Sequence, residues 1–68
     1  MNLLEYLEEV LKKIKAHGYQ IREEWLDGGH GGGCVLRGKK IFFSDQTLPL
    51  PERLEQAEEF LRELNTKE

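Results

Sequence analysis

The chain has 68 residues, with seven glycines, two histidines, one cysteine and a formal net charge of −3. That length makes one small domain, 1–68, burying only about 60% of the surface its unfolded form exposes. One cysteine excludes an internal disulfide, one Cys with two His falls short of a four-ligand zinc site, and the mild acidic balance argues against a dedicated nucleic-acid binder without forbidding a local basic patch.

The first element is "NLLEYLEEVLKKIKAHG". Leu3, Leu4, Leu7, Val10, Leu11 and Ile14 recur at the spacing of one helical face. Asn2 is placed to cap the start, and Gly18 to stop the helix in the left-handed region, with Tyr19 folding back on the last turn. Early Glu5, Glu8 and Glu9 and late Lys12, Lys13 and Lys15 suit the helix dipole, and Glu8–Lys12 and Glu9–Lys13 are spaced for ion pairs. His17, at the helix end, is expected to serve the dipole there rather than a metal.

"YQIREEWL" alternates, with Tyr19, Ile21 and Trp25 on one side, and reads as a strand. "GCVLRGKKIFF" reads as a hairpin about Gly38-Lys39 in a type II′ turn. That turn pairs Leu36 with Ile41, Val35 with Phe42 and Cys34 with Phe43. Cys34, Leu36, Ile41 and Phe43 then share one face, and Val35 and Phe42 the other. The connector "SDQTLPLP" leads to a second helix, "PERLEQAEEFLRELN", with prolines tolerated in its first turn. Leu50, Leu54, Ala57, Leu61 and Leu64 form its apolar face, with Phe60 at the edge and Glu58–Arg62 as a further spaced pair. The final "TKE" is expected to fray.

The expected architecture is α+β: helix, three-stranded antiparallel meander, helix (αβββα). Both helices are expected on the sheet face of Cys34, Leu36, Ile41 and Phe43. Val35 and Phe42 then form an exposed surface for a partner, with Trp25, half-buried at the sheet edge, as a contact anchor.

"DGGHGGGC", Asp27 to Cys34, holds five of the seven glycines. One reading is structural: glycine permits positive φ wherever the chain turns. The number exceeds what a turn needs, which points to mobility or to close approach of something to the backbone. A second reading makes Gly29, His30, Gly31, Gly32 and Gly33 a nest of amides for an anion, although no helix N-terminus or GK[ST] accompanies it and Asp27 opposes it. A third gives His30 acid–base work near neutral pH, alone or with Cys34 as nucleophile. The hairpin pairing instead points Cys34 into the core. A fourth joins His30 to Cys34 or Asp27 as metal ligands. No metal and no cofactor is expected.

The run "GGHGGGCVLRGKKIFFSD", followed by "LPERLEQAEEFLREL", resembles short bacterial proteins sharing a glycine-rich turn, a Cys-x-Leu-x-Gly segment, a strand ending near Asp and a closing helix. That resemblance implies no activity. The order helix, three strands, helix is also similar to double-stranded-RNA-binding-like folds, including HicA-type toxins that cleave messenger RNA. Those toxins carry a catalytic His near a Gly-Ser-His-His segment. The matching position here is His30 in "GGHGGG", without the Ser or the second His, and fold analogy is a weak warrant for activity.

The expected function is a non-enzymatic binding module acting as a homodimer, since a small domain without disulfide or metal gains stability from a partner subunit. The alternative is an RNA-binding or RNA-cleaving domain using His30, which the charge balance opposes. No apolar run approaches a membrane span, the amino end lacks the form of a signal peptide, and a lone thiol fits the cytosol. A cytoplasmic protein with no membrane partner is expected.

Overall fold

The computed structural model describes residues 1–27 and 31–66. Its elements are α1 (Leu3–Ala16), β1 (Gln20–Glu24), β2 (Gly32–Leu36), β3 (Lys39–Asp45) and α2 (Leu50–Thr66). The chain is a small α+β domain. No helix among the described residues is long and apolar enough to cross a membrane.

Both helices form where the pattern places them. Asn2 accepts from the Glu5 amide at 2.9 Å while the Glu5 carboxylate accepts from the Asn2 amide at 3.2 Å, a full capping box. His17 is the C-cap and Gly18 follows at φ 94°. Pro49 precedes α2 and Pro51 lies in its first turn, where a missing N–H costs nothing. The helices are tied at one end by His17 Nε2 and Asn65 Oδ1, 3.2 Å apart. Leu3 and Leu4 lie outside the buried face of α1 and are exposed. The expected pairs Glu8–Lys12, Glu9–Lys13 and Glu58–Arg62 are not closed; among the described residues the ion pair is Arg22–Glu24, 2.7 Å. Long exposed side chains gain little from such pairing against the entropy of holding it.

The sheet departs from the expected meander. Its order is β1-β3-β2, with β1 parallel to β3 and β2 antiparallel to β3. A meander would set β1 beside β2. Instead β1 ends where β3 also finishes, and β2 begins at that same end on the far side of β3. A connection reaching past a strand must cover two inter-strand spacings, about 10 Å.

The hairpin turn is also displaced. Arg37 and Gly38 form it, at φ 53° and 81°, and positive φ at both central positions makes it type I′ rather than II′. Cys34 therefore pairs with Ile41, Val35 with Lys40, Leu36 with Lys39 and Gly33 with Phe42. The register differs from the expected one by two residues. Because side chains alternate with period two, such a slip preserves the grouping of faces: Cys34, Leu36, Ile41 and Phe43 still lie together, opposite Val35 and Phe42.

What reverses is the face that meets both helices. Phe42 is 1% exposed and sits in one cluster with Leu7, Val10 and Ile14 of α1 and Leu54 and Ala57 of α2. Tyr19, Ile21, Phe60, Leu61 and Leu64 pack around it. The expected exposed pair is thus half wrong: Phe42 is core, and Val35 alone of the two is exposed. Ile41, expected in the core, is buried at 6% exposure on the face opposite Phe42, outside that cluster. The expected core residue Leu36 is 52% exposed, and Cys34 is half-buried beside Ile41 on the face away from Phe42.

Candidate functional site: the glycine connection and the sheet edge

Of the expected ligand-binding residues, Gly29 and His30, with Gly28 before them, lie outside the described residues. Gly31, Gly32 and Gly33 are described, and each has its own local cause. Gly32 has φ 114°, a conformation that an L side chain resists. A Cβ at Gly33 would fall 2.3 Å from Phe60 Cζ and 2.4 Å from Cε1. One at Gly31 would fall 2.9 Å from Gln56 Nε2. The body that approaches this backbone is α2.

The absence of a side chain at Gly33 lets Phe60 lie flat on the sheet. Its ring stacks on Phe42, 5.0 Å between centroids and 27° between planes, and meets Tyr19 edge-on at 5.1 Å and 85°. These offset and edge geometries suit the ring quadrupoles. Phe60, read from the sequence as an edge residue, is the side chain that seats α2. Its partner glycine sits opposite Phe42 in the strand register, so only the pairing reveals the match.

The connection is anchored by a residue the sequence reading passed over. Asp45 ends β3 and is 1% exposed. Its Oδ1 accepts from the Leu26 amide at 3.0 Å, the Thr47 amide at 2.9 Å and the Thr47 hydroxyl at 2.7 Å. The Glu24 carbonyl accepts from the Gln46 amide at 2.8 Å. Asp45 thereby joins the start of the glycine connection to the turn before α2. Its contact with Thr47 is an Asx-turn, for which "SDQT" is a legible signal. Arg53 completes the turn, donating to the Leu48 carbonyl at 3.1 Å and to Gln46 Oε1 at 2.9 Å.

Cys34 is a free thiol in β2. It does not point toward Phe42, so its expected place in the shared core is corrected. Among the described residues no group of three or more His, Cys, Asp or Glu side chains is placed to hold a metal ion.

Exposed apolar residues lie in two places, at the start of α1 (Met1, Leu3, Leu4 and Tyr6) and at the sheet. Trp25, expected to be half-buried, is 76% exposed just past β1; Val35 is 60% exposed on β2, next to Leu36. A cleft of about 230 Å³ beside β2 is lined by Gly32, Gly33, Gln56, Glu59, Phe60 and Glu63. On the other side a groove of about 540 Å³ separates α1 from β1, with Leu11 and Ile21 among charges of both signs, including Glu8, Lys12 and Glu23. The Arg22 guanidinium lies 5.8 Å from the centre of the Phe43 ring, within cation–π range. No protein-family model, curated protein or solved structure matches the chain.

Proposed function

We propose that this chain is a small non-enzymatic interaction module that works as a homodimer in the cytoplasm, where Cys34 stays reduced. The observation that carries the reading is the exposure of Val35 and Leu36, adjacent on one strand, with Trp25 exposed as well. In this reading both helices cover the centre of the sheet face of Phe42 and Ile21, leaving Val35 open at the edge of that face and Leu36 on the opposite one, both available for contact along β2. Fully burying a Val or Leu side chain is worth about 1.5–3 kcal/mol, and a twofold contact does so twice. For a domain this small that gain is comparable to net stability.

The test is light scattering over about 1–100 μM, the range in which self-association would shift by mass action. The expected result is a mass rising toward twice the 7.9 kDa of the chain. A constant monomer mass refutes the dimer.

A second reading, RNA binding, has one specific observation behind it. The hairpin turn and the end of α1 meet at a cleft lined by Gly18, Gln20, Gly38, Lys39 and Lys40. Lys13 and Lys15, in the last turn of α1, come to the same end of the domain. RNA binding that falls steeply with added salt, and is lost on reversing Lys39 and Lys40 to Glu, would favour it. No binding to RNA at low salt removes it. The acid–base role for His30 that accompanied this reading falls on a residue outside those described.

A further inference from the structure

We propose that two copies of the chain pair through the free edge of β2, extending the sheet antiparallel about a twofold axis at Cys34. This deepens the dimer reading above and rests on it.

With β3 in the centre, β1 and β2 are both edges. An unpaired edge is a template for another strand unless charge, proline or a covering element blunts it. β1 carries Arg22, Glu23 and Glu24, and Arg22 is paired with Glu24. β2 reads Gly-Gly-Cys-Val-Leu, with no charge and no proline, in a chain that is 34% charged.

The strand is complementary to itself. Antiparallel pairing about Cys34 sets Gly33 opposite the partner's Val35 and Gly32 opposite the partner's Leu36. Directly opposed residues share a face, so the partner's Leu36 arrives at Gly32, where a Cβ would meet nothing within 4 Å, and the partner's Val35 arrives beside Gly33, whose space Phe60 fills. The partner's Val35 enters the cleft beside Gly33, against Phe60. A two-residue shift opposes Val35 to Val35 or Gly33 to Gly33, and either way takes Leu36 away from Gly32. A one-residue shift puts the side chains on the wrong faces.

Charge agrees with size. Antiparallel pairing brings each copy's turn, with Arg37 and then Lys39, to the glycine end of the other's β2. The cleft there is lined by Glu59 and Glu63. Among the described residues neither Arg37 nor Glu59 is in an ion pair within the protomer.

The register can be read through the thiol. Directly opposed residues in an antiparallel pair have Cα atoms about 4.5–5.5 Å apart, inside the roughly 4.4–6.8 Å span of a disulfide. The experiment treats the full chain with diamide, which takes the two thiol hydrogens as it closes the bond, and measures dimerisation in parallel by light scattering. The expected result is rapid conversion to a Cys34–Cys34 dimer. Val35→Glu, which sets a third carboxylate beside Glu59 and Glu63, should suppress that conversion and raise the dimer dissociation constant at least about tenfold, about 1.4 kcal/mol. Val35 is exposed in the protomer, so an unchanged circular-dichroism melt at low concentration confirms that the variant folds. If the chain is dimeric, yet Val35→Glu leaves both dissociation constant and crosslinking unchanged, the β2 edge is overturned and the dimer stands. A strict monomer throughout overturns both.

Discussion

Replacing Gly33 with alanine tests whether the glycines serve the packing of α2. The φ of Gly33 is not positive, so its own backbone accepts alanine. By itself the change would then stabilise the domain by about 0.4–1 kcal/mol, through the unfolded chain's lost freedom. The neighbour reverses the sign. A Cβ 2.3 Å from Phe60 Cζ must separate to ordinary carbon contact of about 3.5–4.0 Å, so the ring retreats by more than about 1 Å. That retreat disturbs the stacking on Phe42 and the edge contact with Tyr19, each worth about 0.5–1.5 kcal/mol. Overpacking of this kind costs about 1–3 kcal/mol. Net destabilisation of about 1–2 kcal/mol follows, lowering Tm by roughly 4–16 °C in a domain of this size. The assay is urea denaturation followed by far-ultraviolet circular dichroism, since exposed Trp25 is a poor reporter of the core. Phe60→Leu removes the Cε and Cζ atoms that clash, so Gly33→Ala in that background should be neutral or stabilising. The double-mutant cycle should show a coupling of at least about 1 kcal/mol. Gly31→Ala is the control: it meets only the far end of the flexible Gln56 side chain and should fall within about 0.5 kcal/mol of wild type. If Gly33→Ala stabilises the wild-type chain, or acts equally in both backgrounds, the close-approach argument is wrong.

Two further substitutions probe the connection and the turn. Asp45→Ala removes a buried acceptor of three hydrogen bonds from the described residues and should cost about 2–3 kcal/mol, with faster hydrogen exchange at the Leu26 amide; Asp45→Asn, which keeps Oδ1, should cost less, and equal losses would contradict the bonding scheme. Arg37→Asn places a residue suited to positive φ before Gly38 and should stabilise the hairpin by about 0.5–1 kcal/mol, read as a rise in the urea midpoint, whereas a fall would contradict the type I′ assignment.

Local chemistry made both helices legible. Asn2, Gly18 and the prolines around Leu50 are punctuation that acts within a few residues, and the apolar spacing marked the buried faces of α1 and α2. Strand alternation was legible too, and the grouping of Cys34, Leu36, Ile41 and Phe43 survived an error in the turn. The turn itself misled because arginine is a poor marker of left-handed backbone, so Gly38 read as the first central residue rather than the second. At the candidate site, Val35 was legible as an exposed residue, whereas the full exposure of Trp25 was not. The reason for Gly31 and Gly33 was not, because the groups that approach them belong to α2.

The sequence by itself determined the elements, their order, and which side chains travel together on each face, because those follow from periodicity and capping within one segment. Only the tertiary structure decided that β3 lies between β1 and β2, that Phe42 rather than Ile41 and Phe43 joins the shared core, and that a glycine is needed beneath Phe60. Those outcomes depend on contacts between residues far apart in the chain. A face chosen for its apolar count can lose to one that offers a flat seat for an aromatic ring.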